Sequence, residues 1–250
     1  MEKTEKHKVN FGLVGKNISY SFSKGYFKKK FDALGLTNYS YNNFDLKSIS
    51  EFPAISENTS NIQGINVTIP FKEEVIQFLD DIDLAAKKIG AVNTIKFTEN
   101  GLIGYNTDAY GFQKSIEPYL KKHHKKALIL GTGGASKAIA FVLEELGIAF
   151  SFVSRSGKNN GFKYEEVTDN IISDHTLIIN CSPVGTFPNI EEKPAIPYNS
   201  INKEHLLFDL IYNPDETAFL ALGKAKGAAI CNGHRMLEYQ AEKSWEIWNQ

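Results

Sequence analysis

This chain has little cysteine, and it lacks the sequence features that direct proteins into or across membranes. Cys181 and Cys231 are its only cysteines, which favours the reducing cytoplasm over a secreted, disulfide-stabilised domain. No apolar run approaches the ~20 residues that a membrane-spanning helix needs. The charged N-terminal sequence MEKTEKHKVN has no apolar segment like that of a secretory signal. We therefore expect a cytoplasmic protein that has no membrane partner.

Charge and histidine are distributed too evenly to indicate a nucleic-acid or metal site. The formal net charge is -1, whereas proteins that bind nucleic acids concentrate positive charge on one face. The basic cluster KKHHKK at residues 121–126 fits the solvated end of a helix. The six histidines have no metal-ligand spacing. We expect neither a nucleic-acid partner nor a metal ion.

The first half of the chain alternates strand and helix patterns, which is typical of an α/β fold. The 250 residues are enough for one large or two small domains. VNFGLVG (residues 9–15) predicts a buried strand, and Phe27, Phe31 and Leu34 recur at helical spacing before Gly35. Two strands, a helix and a hairpin are predicted next, in this order: YSYNNF, INVTIP ending at Pro70, KEEVIQFLDDI (residues 72–82), and TIKFTENGLIGYNTD turning at Asn100-Gly101.

The second half has the pattern of a doubly wound parallel sheet, from about Thr107 to Gly233. KALILG (residues 126–131) predicts a strand, and the following helix has an apolar face that ends at Gly147. AFSFVSRS, TLIINCS and HLLFDLIY follow as apolar strands of the kind that helices cover on both faces. A final amphipathic helix is predicted within residues 235–250, with these residues on one face: Leu237, Ala241, Ser244 or Trp245, and Trp248.

A glycine-rich turn stands between the KALILG strand and the helix that follows it. Its sequence is Gly131-Thr132-Gly133-Gly134-Ala135-Ser136. Glycines permit a tight turn and let the backbone approach a pyrophosphate at a helix N-terminus, where N–H groups and the dipole favour anions. Such turns also serve as plain connections, but the flanking strand and helix favour a dinucleotide site.

The tip of the next strand, Ser154-Arg155-Ser156, distinguishes between the two nicotinamide cofactors. NAD sites usually present Asp or Glu about 20 residues after the glycines, and this stretch has no carboxylate. A guanidinium between two hydroxyls suits the 2′-phosphate of NADP through charge-assisted hydrogen bonds. The alternative is an ordinary surface arginine in a loop. The pattern favours NADP.

Polar residues of the first half stand at predicted ends of strands and helices. Taken singly, such residues have ordinary structural explanations, for example Ser21, Ser23 or Asp108 as a helix N-cap and Lys72 as a solvated side chain. The full set is Ser21, Ser23, Thr68, Lys72, Asn93 and Asp108.

Taken together, the motifs of the chain resemble those of the shikimate dehydrogenase family from end to end. The resemblance is carried by GLVGKNISYSFSKGYF, GINVTIPFKEEV, GAVNT, GYNTDAYG, GTGGASKA, SRS, NCSPVGT, DLIYNP and GHRMLEYQA. Their shared order and separations make the match specific, which the glycine turn alone would not be. Asn17 and Lys24 replace prolines of the family pattern, and Tyr20 replaces a histidine.

The resemblance implies a two-domain α/β enzyme. Residues 1–106 and 234–250 would form an α/β substrate-binding domain, completed by the C-terminal helix, and residues 107–233 a Rossmann domain that binds NADP. The implied reaction, in the groove between the domains, is the reversible NADPH-dependent reduction of 3-dehydroshikimate to shikimate in chorismate and aromatic amino acid biosynthesis. A monomer and a homodimer both fit the sequence.

The resemblance also implies site residues by position. Ser21 and Ser23 match the serines that hold the shikimate carboxylate. Further substrate contacts are expected at Thr68, Asn93, Asp108 and Gln240 around the ring hydroxyls, and at Tyr212. The cofactor positions are Gly131, Gly133, Gly134 and Ala135 in the phosphate loop, Ser154, Arg155 and Ser156 at the adenosine phosphate, and Gly233 near the nicotinamide.

Lys72 and Asp108 are the expected catalytic pair. Reduction of a ketone needs a hydride, which the nicotinamide supplies, and a proton, which the protein can supply. Lys72 can donate that proton in reduction and accept it in oxidation, and the Asp108 carboxylate would stabilise the ammonium form. Two other functions stay open: a quinate or quinate/shikimate dehydrogenase using NAD(P), and a non-catalytic dinucleotide sensor, which need not keep both residues.

Overall fold

A computed structural model describes residues 8–19, 21–157 and 160–250. The charged sequence before Lys8 and the substitution at Tyr20 lie outside the described residues. The strands are β1 Val9–Gly15, β2 Tyr39–Asp45, β3 Ile62–Val67, β4 Asp81–Ile82, β5 Thr94–Thr98, β6 Gly101–Tyr105, β7 Lys126–Leu130, β8 Ala149–Ser154, β9 Phe162–Lys163, β10 Leu177–Asn180, β11 Leu206–Asp209 and β12 Ala229–Cys231. The α-helices are α1 Phe22–Ala33, α2 Pro53–Asn58, α3 Leu84–Ile89, α4 Thr107–Ile116, α5 Gly134–Glu145, α6 Asp169–Asp174, α7 Ala218–Ala225 and α8 His234–Trp248.

The chain divides into two compact units. Among the described residues, the first contains those up to Thr107 together with Ala241–Gln250, and the second contains those from Asp108 to Gln240. The second half of α8 therefore belongs to the first unit. Both units combine a sheet with helices, which confirms the predicted α/β class.

The first unit is built on a mixed six-stranded sheet with the order β2-β1-β3-β5-β6-β4. β1 pairs in parallel with β2 and β3, whereas β5 pairs antiparallel with β3 and β6. β4 runs parallel to β6 at one edge. The predicted hairpin is confirmed as β5 and β6.

An aromatic cluster holds α1 and α8 against this sheet. The ring centre of Phe11 in β1 lies 5.8 Å from that of Phe31 in α1 and 4.9 Å from that of Trp248 in α8. Trp248 Nε1 donates a hydrogen bond to the Ile95 carbonyl at 3.0 Å. Gly64 of β3 leaves room for this indole, because a Cβ there would overlap the ring. Burial of large aromatic surfaces thus determines where the C-terminal helix packs.

The second unit contains a six-stranded parallel sheet with the order β12-β11-β10-β7-β8-β9. Every pairing in it is parallel. The chain proceeds outward from β7 to β9, returns to β10 beside β7, and proceeds outward again to β12. This is the doubly wound order, with its switch point between β7 and β10. The prediction of a doubly wound sheet in the second half is confirmed.

Residues 72–82 do not form the predicted α-helix. Glu74–Phe78 is a short 3-10 helix, and Asp81–Ile82 is the edge strand β4. Leu79 is extended, with φ -100° and ψ 141°. Asp80 Oδ2 accepts a hydrogen bond at 2.7 Å from the backbone of β6. Because this contact draws the chain onto the sheet edge, tertiary pairing overrides the helical periodicity.

The ends of three elements differ by a few residues from their predictions. β3 ends at Val67, three residues before Pro70, because the chain turns directly after it. Leu34 caps α1 and is 54% exposed, so it does not share the buried face of that helix. The β5–β6 turn consists of Glu99 and Asn100, and Gly101 already pairs with β5.

The described residues were compared with the requirements of membrane-spanning helices, metal sites and disulfides. No helix among residues 8–19, 21–157 and 160–250 is both long and apolar enough to cross a bilayer. In the same part of the chain, no group of three or more His, Cys, Asp and Glu side chains is placed to hold a metal ion. Cys181 and Cys231 are free thiols.

Candidate active site

The glycine-rich turn connects β7 to α5 at the switch point of the parallel sheet. Gly131 has φ 112°, and a Cβ there would lie 3.2 Å from the backbone of Cys181 and Ser182. Glycine is therefore required at this position. At Gly133 a Cβ would meet no atom within 4 Å, and α5 begins one residue later. The turn thus offers backbone N–H groups and open space at a helix N-terminus, an arrangement that binds pyrophosphate.

The tip of β8 lies beside this turn. The paired ends of β7 and β8 place Gly131 next to Ser154. Ser154 is buried, whereas Arg155 and Ser156 are exposed. Residues 149–164 contain no Asp or Glu. A guanidinium in this place can hold a phosphate on the adenosine ribose, with no carboxylate on the same stretch to compete for it.

A buried polar network, which the sequence analysis did not identify, fixes the loops after β10 and β11. Asp209 is fully buried, and its Oδ1 accepts hydrogen bonds from Asn180 Nδ2 at 3.1 Å and the Ile211 N–H at 3.0 Å. Asp209 Oδ2 accepts a bond from the Thr217 hydroxyl at 2.6 Å. Asn180 Oδ1 accepts bonds from the Ser182 N–H and hydroxyl at 3.1 and 2.7 Å. The loop that borders the switch point is thereby tied to the loop after β11.

Burial raises the pKa of Asp209 to about 6, although hydrogen bonds from Thr217, Ile211 and Asn180 oppose the shift. A carboxyl group whose pKa is higher in the folded chain than in the unfolded chain binds its proton more tightly in the folded chain. Its protonation therefore stabilises the fold, and this contribution is complete at pH values below the unfolded pKa. This contribution is lost as pH rises through the folded pKa of about 6.

We therefore expect the pH dependence of stability to change when Asp209 is replaced by asparagine. Relative to Asp209→Asn, the wild-type free energy of unfolding should rise by about 2 kcal/mol between about pH 7 and about pH 4.5. Urea unfolding of both proteins at the two pH values measures this difference. Parallel pH profiles would contradict the expected proton uptake by Asp209.

Ser21 and Ser23 lie at the start of α1. Ser21 occupies the N-cap position, but its side chain makes no capping hydrogen bond, so capping does not explain this serine. Ser23 hydrogen-bonds with Tyr41; burial raises the pKa of that phenol, and this bond lowers it in part. Both serines are half-buried. Two hydroxyls at a helix N-terminus suit the carboxylate of a small acid.

The turn before these serines is stabilised by a backbone hydrogen bond that a proline at position 17 could not donate. Asn17 has φ 56°, a left-handed conformation that proline cannot adopt. Its N–H, which a proline would lack, donates a hydrogen bond to Asp45 Oδ1 at 2.8 Å. The β2 carboxylate therefore fixes this loop in place of a rigid proline ring.

Backbone hydrogen bonds connect the segments that carry Thr68, Lys72 and Asn93. The N–H of Val67, the residue before Thr68 and the last residue of β3, donates to the Asn93 carbonyl at 2.8 Å. The Lys72 carbonyl accepts a bond at 2.7 Å from the N–H of Val92, the residue before Asn93. The first unit thus brings these three predicted site residues into neighbouring segments.

Asn93 also determines how α4 begins. Its Oδ1 accepts a hydrogen bond at 2.7 Å from the N–H of Thr107, the first residue of the helix. Asp108 is the next residue and is 2% exposed. The interpretation of Asp108 as an N-cap is wrong, because this residue lies inside the first turn of α4.

The structure brings the segments of Asp108 and Gln240 together. A Cβ on Gly111 of α4 would lie 2.6 Å from the Met236 carbonyl and 3.2 Å from the Gln240 N atom of α8. The two helices therefore touch about one turn after Asp108. Only glycine permits so close a crossing.

Gly233 packs against the loop that carries Tyr212. A Cβ on Gly233 would overlap the Leu210 carbonyl, so the approach of the two segments requires glycine. The Gly233 N–H donates a hydrogen bond to the Ile211 carbonyl at 3.0 Å. A backbone hydrogen bond thus joins the residue before α8 to the loop after β11.

The two units divide the predicted site residues between them. In the first unit lie Ser21, Ser23, Thr68, Lys72 and Asn93; in the second lie Asp108, Tyr212, Gln240, Gly233, the glycine turn and the β8 tip. The first offers hydroxyl, amide and ammonium groups for a polar substrate, and the second has the fold of a dinucleotide-binding domain. The folds of the two units and the glycine turn are those of the two-domain, Rossmann-type oxidoreductases.

Comparisons with known proteins identify the family within this class. The family described as "Shikimate dehydrogenase substrate binding domain" matches residues 13–95. The shikimate dehydrogenase (NADP(+)) of Clostridium botulinum is 39% identical over 252 residues, 95% of each chain. The crystal structure of shikimate dehydrogenase from Aquifex aeolicus has a TM-score of 0.87 at 31% identity, covering 100% of this chain and 94% of its own. The chain therefore belongs to the shikimate dehydrogenase family.

A further solved structure in this family contains both ligands. It is the shikimate dehydrogenase from Thermus thermophilus in complex with NADP(H) and shikimate. Its TM-score is 0.84 at 30% identity, covering 96% of this chain and 93% of its own. The family assignment thus holds over both halves of the chain.

Proposed function

We propose that this protein is an NADP-dependent shikimate dehydrogenase, which reversibly reduces 3-dehydroshikimate to shikimate in chorismate and aromatic amino acid biosynthesis. The relative from Clostridium botulinum bears this activity and cofactor in its name. The observation that carries the proposal is the combination in one chain of the glycine turn, Arg155 beside it, and the Lys72 and Asn93 segments joined in the first unit.

We assign residues 1–106 and 234–250 to substrate binding and residues 107–233 to NADP. The match of residues 13–95 to a substrate-binding domain and the doubly wound order of the second sheet support this division. The two compact units of the fold have boundaries close to these, with Thr107 in the first unit and residues 234–240 in the second.

On the substrate side, the hydroxyl and amide groups of the protein suit a ring substrate that carries one carboxylate and three hydroxyls. Ser21 and Ser23 would bind the carboxylate at the N-terminus of α1. The ring hydroxyls would be bound by Thr68, Asn93, Asp108 and Gln240, with a further contact from Tyr212. The hydrogen bonds that fix Asn93 and the crossing of α4 with α8 at Gly111 support this assignment.

On the cofactor side, the residues fit a dinucleotide that carries a 2′-phosphate. Gly133, Gly134 and Ala135 would bind the pyrophosphate with backbone N–H groups. Gly131, whose own N–H donates to the Val153 carbonyl at 2.8 Å, would form the tight turn of the phosphate loop. Ser154, Arg155 and Ser156 would bind the 2′-phosphate, and Gly233 would lie near the nicotinamide. The open space at Gly133 and the lack of a carboxylate on residues 149–164 support this assignment.

Lys72 and Asp108 would handle the proton. NADPH, when bound, supplies the hydride. Lys72 donates a proton to the ketone oxygen in reduction and removes it from the hydroxyl in oxidation. We assign Asp108 as the partner of Lys72 in this step and as an acceptor of a hydrogen bond from the substrate.

We also propose a cytoplasmic location. Cys181 and Cys231 are free thiols, which the reducing cytoplasm preserves. Burial raises the pKa of Cys231 to about 11, which keeps this thiol protonated and unreactive.

Steady-state kinetics with four substrate and cofactor pairs test the proposed function. Shikimate and quinate are each oxidised with NADP+ and with NAD+. We expect kcat/KM for shikimate with NADP+ to exceed that of every other pair by about tenfold or more. Faster oxidation of quinate would favour the quinate or quinate/shikimate dehydrogenase alternative, and a preference for NAD+ with shikimate would contradict the assignment of Arg155 to a 2′-phosphate. Oxidation of neither substrate would indicate a dinucleotide-binding protein without this activity.

A further inference from the structure

Four polar side chains meet inside the first unit. They belong to Asn66 of β3, Thr94 of β5, Thr107 at the start of α4 and Ser244 of α8. Thr94 and Ser244 are fully buried, Thr107 is 1% exposed, and Asn66 is half-buried. We call these four side chains the polar hub.

Hydrogen bonds of ordinary length join the members of the polar hub. Asn66 Nδ2 lies 2.9 Å from Ser244 Oγ and 3.0 Å from Thr94 Oγ1. The Thr94 hydroxyl lies 2.8 Å from that of Ser244 and 3.1 Å from that of Thr107. The hydroxyls of Thr107 and Ser244 are 3.2 Å apart. Each hydroxyl therefore contacts at least two other members.

The polar hub fixes the orientation of the Asn93 side chain. Asn93 Oδ1 accepts the Thr107 N–H at 2.7 Å and lies 3.1 and 3.2 Å from the hydroxyls of Thr107 and Thr94. A backbone N–H can only donate, so this bond identifies Oδ1 and directs Nδ2 to the opposite side of the amide. The Asn93 carbonyl can only accept, and it holds Asn66 Nδ2 at 3.2 Å.

Every member of the polar hub is also a close neighbour in sequence of a residue proposed to bind substrate. Thr94 follows Asn93, Thr107 precedes Asp108, Asn66 lies two residues before Thr68, and Ser244 lies one helical turn after Gln240. A shift of a polar-hub residue would therefore move the backbone of a proposed substrate-binding residue that lies only one to four positions away in sequence.

Stability alone does not account for these polar groups. Well-packed apolar side chains stabilise a core as effectively as buried polar groups do. A fully hydrogen-bonded buried network differs in that it specifies a single geometry, because each donor needs its acceptor. A single geometry is what recognition of several ring hydroxyls at once requires.

We propose that Asn66, Thr94 and Ser244 are positioning residues for the substrate, acting through Asn93 and Thr107. They hold the Asn93 amide and the start of α4 in the geometry that binds the ring hydroxyls. This inference rests on the proposed shikimate dehydrogenase function. The three residues act on substrate binding and turnover, and the affinity for NADP+ does not depend on them.

Replacement of Thr94 by valine tests the inference, because it removes the central hydroxyl and keeps the shape. We expect kcat/KM for shikimate to fall between about 5-fold and 100-fold, through a higher KM, a lower kcat or both. The Kd of NADP+ should change by less than about twofold. Thr94→Ser, which restores the hydroxyl, should return kcat/KM to within about threefold of wild type.

Ser244→Ala provides a second and smaller change, so that the result does not depend on the folding of one variant. Because Thr94 and Ser244 share a bond of 2.8 Å, the loss in the double variant should be smaller than the product of the single losses. Thr98→Val is the matched control on β5, since its hydroxyl donates to the Gly101 carbonyl outside the hub. This control should keep wild-type kinetics.

The outcomes separate the inference from the proposed function. Folded Thr94→Val and Ser244→Ala proteins with wild-type kinetics for shikimate would overturn the inference, even if both melt at a lower temperature. Equal losses for shikimate and NADP+ would also overturn it, because they would indicate a general structural effect. A wild-type protein that does not oxidise shikimate would instead overturn the proposed function on which the inference rests.

Discussion

Replacing Lys72 by alanine is expected to lower kcat for shikimate oxidation by about 10²- to 10⁴-fold, the usual contribution of a positioned acid or base. The chemical reason is that the substrate hydroxyl must lose a proton as its carbon gives up hydride. Lys72 is half-buried, and its backbone is bound to the segment of Asn93. The Kd of NADPH should change by less than about twofold, because no cofactor contact is assigned to this lysine.

Stopped-flow and steady-state measurements on the Lys72→Ala protein test this role. Lys88→Ala is the matched control, since Lys88 is an exposed lysine of α3 in the same unit. The control should keep the wild-type rate. Full activity of Lys72→Ala would exclude proton transfer by this residue, and an equal loss of NADPH affinity would indicate a structural effect.

Replacing Arg155 by alanine is expected to weaken NADPH binding about 10- to 100-fold and NADH binding by less than about threefold. Charge-assisted hydrogen bonds to a phosphate are worth about 1.5 to 3 kcal/mol, and tenfold in Kd corresponds to about 1.4 kcal/mol. Arg155 is exposed at the tip of β8, beside the glycine turn. NADH lacks the 2′-phosphate and so loses no such bond.

Fluorescence titration of both cofactors measures this selectivity. Arg235 is the other arginine of the chain, and it is exposed on α8 with an ion pair to Glu238. Arg235→Ala therefore serves as a charge-matched control and should bind both cofactors like wild type. Equal losses for NADPH and NADH in Arg155→Ala would contradict the phosphate assignment.

The fold was predictable where local patterns decide it. VNFGLVG and KALILG are apolar runs bounded by glycine, and both form strands. The strands and helices of the second half alternate at short spacing, and this alternation predicts a parallel sheet with helices on both faces. The glycine turn and Ser154-Arg155-Ser156 could be located in advance because each is continuous in sequence.

Residues 72–82 show where local patterns fail. Their apolar spacing is helical, but hydrogen bonding of Asp80 to β6 places the end of the segment at a sheet edge. The partner strand lies about twenty residues further along the chain. Periodicity within a short window cannot register such a contact.

The polar networks could not be predicted for a related reason. Asn66 and Ser244 are 178 residues apart in sequence yet hydrogen-bonded. Each appears alone within an otherwise ordinary strand or helix. Asp209 did carry a signal, since a carboxylate at the end of the apolar strand LLFD needs partners if it is buried. Its partners Asn180 and Thr217 become apparent only when the strands are paired.

Transfer of isotope from the cofactor shows directly whether this protein reduces 3-dehydroshikimate with hydride from NADPH. The full chain is incubated with 3-dehydroshikimate and NADPH deuterated on one or the other face of the nicotinamide C4, and the product is analysed by mass spectrometry. We expect shikimate that carries one deuterium from one of the two labelled cofactors and none from the other. Absence of shikimate, or shikimate without deuterium from either cofactor, would contradict this expectation.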